Sequence, residues 1–194
     1  QTCALPIFIV NSNLKKLPEA WKDMIKRFKN LSIICSCDAI HELGSYVRYP
    51  LGWEQFEENV KFASANANFF QFNLVCSNIT IHKIFETCSW MSQYSKNISL
   101  EILSKPEIFS VASIPINQRH TYILELKKLK KFPVGLYQAA KFRSNINFLI
   151  NQLQNVQYNK SLHEQLRAEI IEQDSHRSLN LKDVDAFLYN WIYE

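Results

Sequence analysis

Up to Pro115 the apolar residues come in short dense runs; beyond it they recur mainly at helical spacing. The runs are Phe8–Val10, Leu31–Cys37, Phe69–Val75 and Ile98–Leu103, each followed by polar residues. Their length and their β-branched and aromatic content predict strands. Leu31–Cys37, LSIICSC, is nearly continuous, which predicts a strand covered on both faces, as in a parallel sheet. Between the runs the spacing changes to three and four. Trp21, Met24, Ile25, Phe28 and Leu31 form one stripe behind Pro18. Trp53, Phe56, Val60 and Ala63 form a second, and Ile81, Ile84, Phe85, Cys88 and Met91 a third. Each stripe predicts an amphipathic helix. Strands alternating with helices in units of roughly 30 residues predict parallel neighbours joined by right-handed crossovers. Residues 8–11, 31–37, 69–75 and 98–103 are therefore expected to pair in chain order, with no antiparallel pair.

A further apolar patch, Phe109–Ile114, precedes Pro115, and then three or four helices are expected, at about 117–131, 136–156, 161–173 and 181–193. Ser161 and Glu164 have the spacing of a capping box at the start of the third. The organisation predicted is an α/β unit over 8–115 and a helical region over 116–194.

Composition narrows this. With 194 residues and 47% hydrophobic content the chain can bury a core. No apolar run is long enough to cross a bilayer, so no membrane partner is expected. The net charge of +4 comes from mixed acids and bases, and the densest basic run, Lys127–Lys131, predicts a solvated helix face, not a nucleic-acid site. Five Cys, an odd number, without a signal-peptide pattern predict reduced thiols in the cytoplasm. Cys35 and Cys37 share a strand face, and no Cys/His spacing suits zinc, so the cysteines are expected as buried small hydrophobes. Residues 1–7, QTCALPI, back-translate into a common sequencing adaptor and are expected to be an assembly scar, with the natural protein beginning upstream.

Ligands of parallel α/β sheets sit at the carboxyl ends of the strands. Those ends carry Asn11, Asn13, Ser36, Asp38, Asn73 and Asn78, groups suited to hydroxyls, amides and ribose. The stretch after the second strand is the richest, with Asp38, His41, Glu42, Tyr46, Arg48 and Tyr49 before the Trp53 helix; it is expected to be a functional loop. No nucleophile–base pair stands out. Three Gly in the whole chain leave no phosphate-cradling loop of the Rossmann or P-loop kind. The scarcity of His and acids at strand ends argues against a metal-dependent hydrolase.

One resemblance goes further. Ser36, Asp38 and Ala39, then Tyr46, Arg48, Tyr49 and Pro50, then Trp53 and Glu57 to Asn59, resemble the central region of radical S-adenosylmethionine (SAM) enzymes, in the twitch domain-containing branch. Asn11 falls where that family has a Thr-Asn-Gly step, though Val10 and Ser12 replace its Thr and Gly. Pro106 followed by Phe109–Pro115 resembles the family's last strand and the stretch beyond it, and Asp174 with Arg177 resembles a late D-x-x-R. The likeness spans nearly all of 8–194. It implies a partial (β/α) radical SAM barrel, its later parallel strands followed by a C-terminal helical region.

The resemblance also implies cofactors and roles. The intact protein would use SAM and a [4Fe–4S] cluster, an electron donor such as flavodoxin or ferredoxin, and an unidentified substrate, a peptide being one candidate. It would cleave SAM reductively and abstract a substrate hydrogen. Ser36 and Asp38 would lie beside the ribose and methionyl group, Arg48 would pair with a carboxylate, and Asn73 and Asn11 would face the cofactor. The main chain near Ser104–Pro106 would flank the adenine. The cluster motif C-x-x-x-C-x-x-C is absent, so the chain alone is expected to be inactive. It is also expected to expose an unpaired edge at Phe8–Val10. Each role has a structural rival. Ser36 could bond backbone, Asp38 could cap a turn, and Arg48 could pack on Tyr46 and Tyr49. Asn11 and Asn73 could serve turns or ladders, Trp53 could be core, and Asp174 and Arg177 could be a local ion pair. The alternative function is a non-catalytic α/β domain that binds a nucleotide-like ligand or a protein.

Overall fold

The computed structural model describes residues 8–193; the expected scar, and Cys3 within it, lie outside the described residues. Four strands form one sheet: β1 (Phe8–Ser12), β2 (Leu31–Ser36), β3 (Phe69–Cys76) and β4 (Ile98–Ile102). Their order is β1-β2-β3-β4 and every pairing is parallel, as the alternation of runs and stripes predicts.

The crossovers are α1 (Glu19–Arg27) between β1 and β2, α2 (His41–Val47) and α3 (Trp53–Asn66) between β2 and β3, and α4 (Ile84–Tyr94) between β3 and β4. α3 touches both α1 and α4. Because the strand order never reverses, right-handed crossovers bring these helices to the same face. That face of the sheet carries Leu31, Ile33, Cys35, Phe70, Phe72, Leu74, Ile98 and Leu100, all buried. Phe56, Val60, Ala63, Ile84, Cys88 and Met91 pack onto it from α3 and α4.

Three expectations need correction. β2 is not covered on both faces: its burial alternates, with Leu31, Ile33 and Cys35 buried and Ser32, Ile34 and Ser36 half-buried. β3 alternates likewise. The α1 stripe is only partly buried, since Ile25 is enclosed while Trp21 and Phe28 are 47% and 38% exposed. Among the described residues no helix flanks α1 on its outer side, and β1 is the sheet's edge. Phe109–Pro115 is no strand but a series of 3-10 turns over Glu107–Phe109 and Val111–Ser113.

The C-terminal helices are α5 (Arg119–Lys128), α6 (Leu136–Asn155), α7 (Lys160–Arg177), α8 (Leu181–Val184) and α9 (Ala186–Tyr193). α5 extends the helix layer beyond α4, with Leu129 buried beside it and Lys127, Lys128, Lys130 and Lys131 exposed. α6 lies along β4, where Asn145 Nδ2 donates to the Leu100 carbonyl at 2.6 Å. The helix-opening cap of α7 is Asn159, whose side chain accepts the Leu162 N–H at 3.1 Å; Ser161 is already inside the helix. The helical region shares one continuous buried cluster with the sheet unit. Among the described residues no helix is long and apolar enough to cross a membrane.

A buried hydrogen bond between His82 and Asp185 ties α8–α9 to the turn after β3. His82 Nε2 lies 2.8 Å from Asp185 Oδ2, the side chains being 5% and 8% exposed, and Asp185 Oδ1 accepts the Leu188 N–H. Burial alone would raise the Asp185 carboxyl, but the bond to His82, its charge, the Leu188 amide and Lys83 outweigh it, and the carboxyl sits below its ordinary value. A group more acidic when folded stabilises fully above its unfolded pKa, about 3.9, and loses that contribution as pH falls through the folded value. Asp185→Asn is expected to cost about 1–3 kcal/mol at neutral pH, as the loss of a hydrogen-bonded buried carboxylate implies. In urea unfolding the gap between wild type and variant should narrow as pH drops from about 4 towards 3.

Candidate functional site

With the helices on one face, the opposite face of the sheet keeps the polar alternates. The register sets Ser36 beside Asn73 and Asn73 beside Ser99. Adjacent strands lie about 4.8 Å apart, so these three side chains form one transverse row. Asn11 pairs with Ile34 and Ile34 with Gln71, a row nearer the amino ends. Val75 pairs with Glu101, a row nearer the carboxyl ends.

The two sides of this strip differ. On the β4 side the polar groups are engaged. The Ser99 hydroxyl donates to Glu101 Oε1 at 3.2 Å, Lys141 pairs with Glu101, and Gln138 Nε2 donates to Gln71 Oε1 at 3.2 Å. On the β2–β3 side the Ser36 hydroxyl and the Asn73 and Asn11 amides have no hydrogen-bond partner among the described residues; Ser36 and Asn73 are half-buried, and Asn11 is exposed. Their donors and acceptors are available to a ligand.

Asp38 and Arg48 close the carboxyl end of β2. Arg48 Nη2 is 2.9 Å from Asp38 Oδ1 and 2.8 Å from Oδ2, while Oδ1 also accepts the Val75 N–H at 3.2 Å. The carboxylate that meets Arg48 in the structure is therefore Asp38, in place of the ligand carboxylate expected. Asp38 fastens β2's end to β3 instead of capping a turn. Tyr49 carries Arg177, not Arg48, its ring 5.3 Å from the Arg177 guanidinium carbon.

The stretch between Asp38 and Trp53 is not the plain loop expected, because α2 forms within it. Leu43 and Tyr46, three apart, bury one side of that helix. Gly44 allows the close approach: a Cβ there would stand 2.6 Å from the Ala39 carbonyl oxygen and 3.1 Å from the Trp53 ring. The first helical residue, His41, has φ 54°, and Leu14, in the loop after β1, has φ 47°. Such conformations are costly for bulky side chains and persist only where neighbours fix them. Here Asn59 Nδ2, from α3, donates to the Leu14 carbonyl at 2.8 Å, and Ser12 Oγ accepts the Leu14 N–H at 3.0 Å. His41 is exposed, its ring 5.2 Å from that of Trp53. Trp53 is core, packed on Phe56 and Trp90.

Asp174 and Arg177 make no ion pair with each other. Asp174 accepts from the Tyr46 hydroxyl at 2.7 Å and the Leu181 N–H at 2.8 Å, and Arg177 donates to the Tyr46 carbonyl at 3.1 Å. Together they clamp α2 to the end of α7. Burial pushes the Tyr46 hydroxyl above its ordinary range, and the Asp174 bond and charge push it further, so this tyrosine stays a donor. Asn78 is also structural, donating to the Ile108 carbonyl at 2.8 Å and to Ser113 Oγ at 2.6 Å. Cys35, Cys37, Cys76 and Cys88 are buried, and burial raises all four thiols. Among the described residues no three His, Cys, Asp or Glu side chains are grouped as a metal would need.

Ser99, Gln71 and Glu101 also belong to the polar face, beyond the residues expected there. The signal was present: in ISLEI and FFQFNLV the polar residues fall at alternate positions.

Two substitutions test this geometry. Asp38→Asn and Arg48→Met should each cost about 1–3 kcal/mol, and the double variant less than their sum, in denaturant unfolding. Gly44→Ala, which in an open helix would stabilise by up to about 1 kcal/mol, should instead lower the melting temperature, since the new methyl meets backbone.

Comparison of the chain with protein-family models, with curated proteins and with solved structures finds no match.

Proposed function

We propose that the open face binds the nucleoside of S-adenosylmethionine, as the later half of a radical SAM-type barrel would. One observation carries the reading: Ser36, the last residue of β2, and Asn73, in the carboxyl half of β3, are register partners on adjacent parallel strands, half-buried, with side chains that no described residue engages. A hydroxyl and an amide in that position can give and accept the bonds that ribose hydroxyls or an aminoacyl group require. Asn11, one strand over and exposed, would meet the ligand's outer part. Asp38 and Arg48 would act by holding the loop at the rim, and Arg48 would reach a ligand carboxylate only by giving up Asp38. The one-sided sheet agrees with a barrel segment, whose inner face is the one without helices.

The [4Fe–4S] cluster does not fit the described residues. Their cysteines are enclosed as thiols, with Cys35 and Cys76 on the face away from the polar strip. Cluster-dependent cleavage and hydrogen abstraction from an unidentified substrate would need ligands from elsewhere. The same observation favours a second reading, a non-catalytic domain that binds a nucleoside-like ligand.

Equilibrium dialysis of the chain against radiolabelled S-adenosylmethionine separates these readings. Saturable binding is expected, with Ser36→Ala and Asn73→Ala each weakening it roughly three- to tenfold, as the loss of about 1 kcal/mol implies. Equal affinity for adenosine would select the non-catalytic domain. Absence of saturable binding to either overturns both readings.

A further inference from the structure

We infer that the β1 edge and the outer flank of α1 form a docking surface for an acidic, extended polypeptide segment that adds to the sheet as a fifth strand. The surface borders the polar strip at Asn11, whose side chain belongs to the strip while its backbone N–H and C=O face the edge; docking there draws on the edge and not on what binds in the strip.

The two edges of the sheet are not alike. β4 has α6 along it, with Asn145 on the Leu100 carbonyl. β1 pairs only with β2, and no described element lies beyond it. Phe8 N–H donates to the Asn30 carbonyl on the β2 side at 3.0 Å. In a parallel ladder alternate residues bond to the same side, so Phe8, Val10 and Ser12 address β2. Ile9 and Asn11 then turn their N–H and C=O groups to the open edge. These are strong, oriented groups that a strand would satisfy.

Side chains around that edge are apolar. Ile9 is 64% exposed and Phe8 42%, and Phe8 meets the exposed Phe28 ring edge-on at 4.7 Å. Beside them a cavity of about 150 Å³ is lined by Val10, Leu17, Trp21 and Met24, with Lys16 among its lining residues. Its size suits one aliphatic side chain of an added strand.

Charge selects the occupant. Residues 15–29 hold six basic and two acidic side chains, which accounts for the whole +4 of the chain. Lys22 pairs with Glu19, and Lys22 and Lys26 both lie over the Phe62 ring on the α3 side of α1, while Lys16 lines the cavity and Lys15, Lys16, Arg27 and Lys29 make no ion pair with an acidic side chain among the described residues. A second copy would bring the same charge to the contact and be repelled, whereas an acidic segment is attracted. A nucleic acid would meet the charge but could not pair with the backbone edge.

The test uses the whole chain and a fluorescein-labelled ten-residue peptide of alternating valine and glutamate, read by anisotropy. Trp21 emission gives a second signal, because Trp53, Trp90 and Trp191 are buried. Saturable binding is expected, weakening with salt. Ile9→Pro removes only an outward N–H, which an edge strand tolerates, and should weaken binding at least tenfold with an unchanged melt. Lys16→Glu should weaken it about fivefold. Binding by Ile9→Pro as tight as wild type, tighter binding of a thymidine dodecamer, or a chain that dimerises in sedimentation and ignores the peptide each overturn the proposal.

Discussion

The winding of the sheet governs the rest of the structure. Four parallel strands in chain order, without a reversal, commit every crossover helix to one face. That face takes the large apolar side chains, and Phe56, Phe72, Val60, Leu100 and Met91 lose all contact with water there. Burying one such side chain is worth about 1.5–3 kcal/mol, so the helix-covered face is the main source of stability. The cost is asymmetry. Any polar side chain on β2, β3 or β4 must fall on the other face or be satisfied, which is why Ser36, Asn73, Gln71 and Glu101 gather there.

The loops at the strand ends are held by specific polar bonds more than by packing. Asn59 grips the carbonyl of Leu14, Asp38 bridges Arg48 and the Val75 amide, and Tyr46 joins Asp174. Each bond joins residues from different elements, so the polar strip is bordered by a fixed rim. The resemblance that suggested a cofactor site rests largely on the same residues. Several of them (Asp38, Arg48, Asn59, Asp174 and Arg177) have structural partners in the fold, which leaves Ser36, Asn73 and Asn11 as the groups available for binding.

The C-terminal helices complete the unit unevenly. α5 and α6 extend the helix layer and line β4, and the His82–Asp185 pair pins α8–α9 to the turn after β3. Among the described residues nothing equivalent lies beside β1 and α1. Exposed apolar side chains such as Ile9 and Phe8 lie at that edge, and Lys16 lines the cavity beside it.

The sequence by itself determined the four described strands to within a residue at each end, their parallel pairing in chain order and three of the helices between them, α1, α3 and α4, because strand and helix periods differ and survive in single stripes such as Trp53, Phe56, Val60 and Ala63. It also determined that Cys35, Cys37, Cys76 and Cys88 are buried, since they sit at apolar positions of those periods. Which face of each strand would be covered was written in the alternation of Ser32 and Ser36 with Ile33 and Cys35, but a continuous apolar run obscured it. Local patterning cannot report the far side of a sheet. Only the tertiary structure decided that Arg48 meets Asp38, that Asp174 and Arg177 hold Tyr46 across more than a hundred residues, and that Asn159 caps α7 in place of Ser161. Those choices depend on distances between elements far apart in the chain, and no spacing along a sequence encodes them.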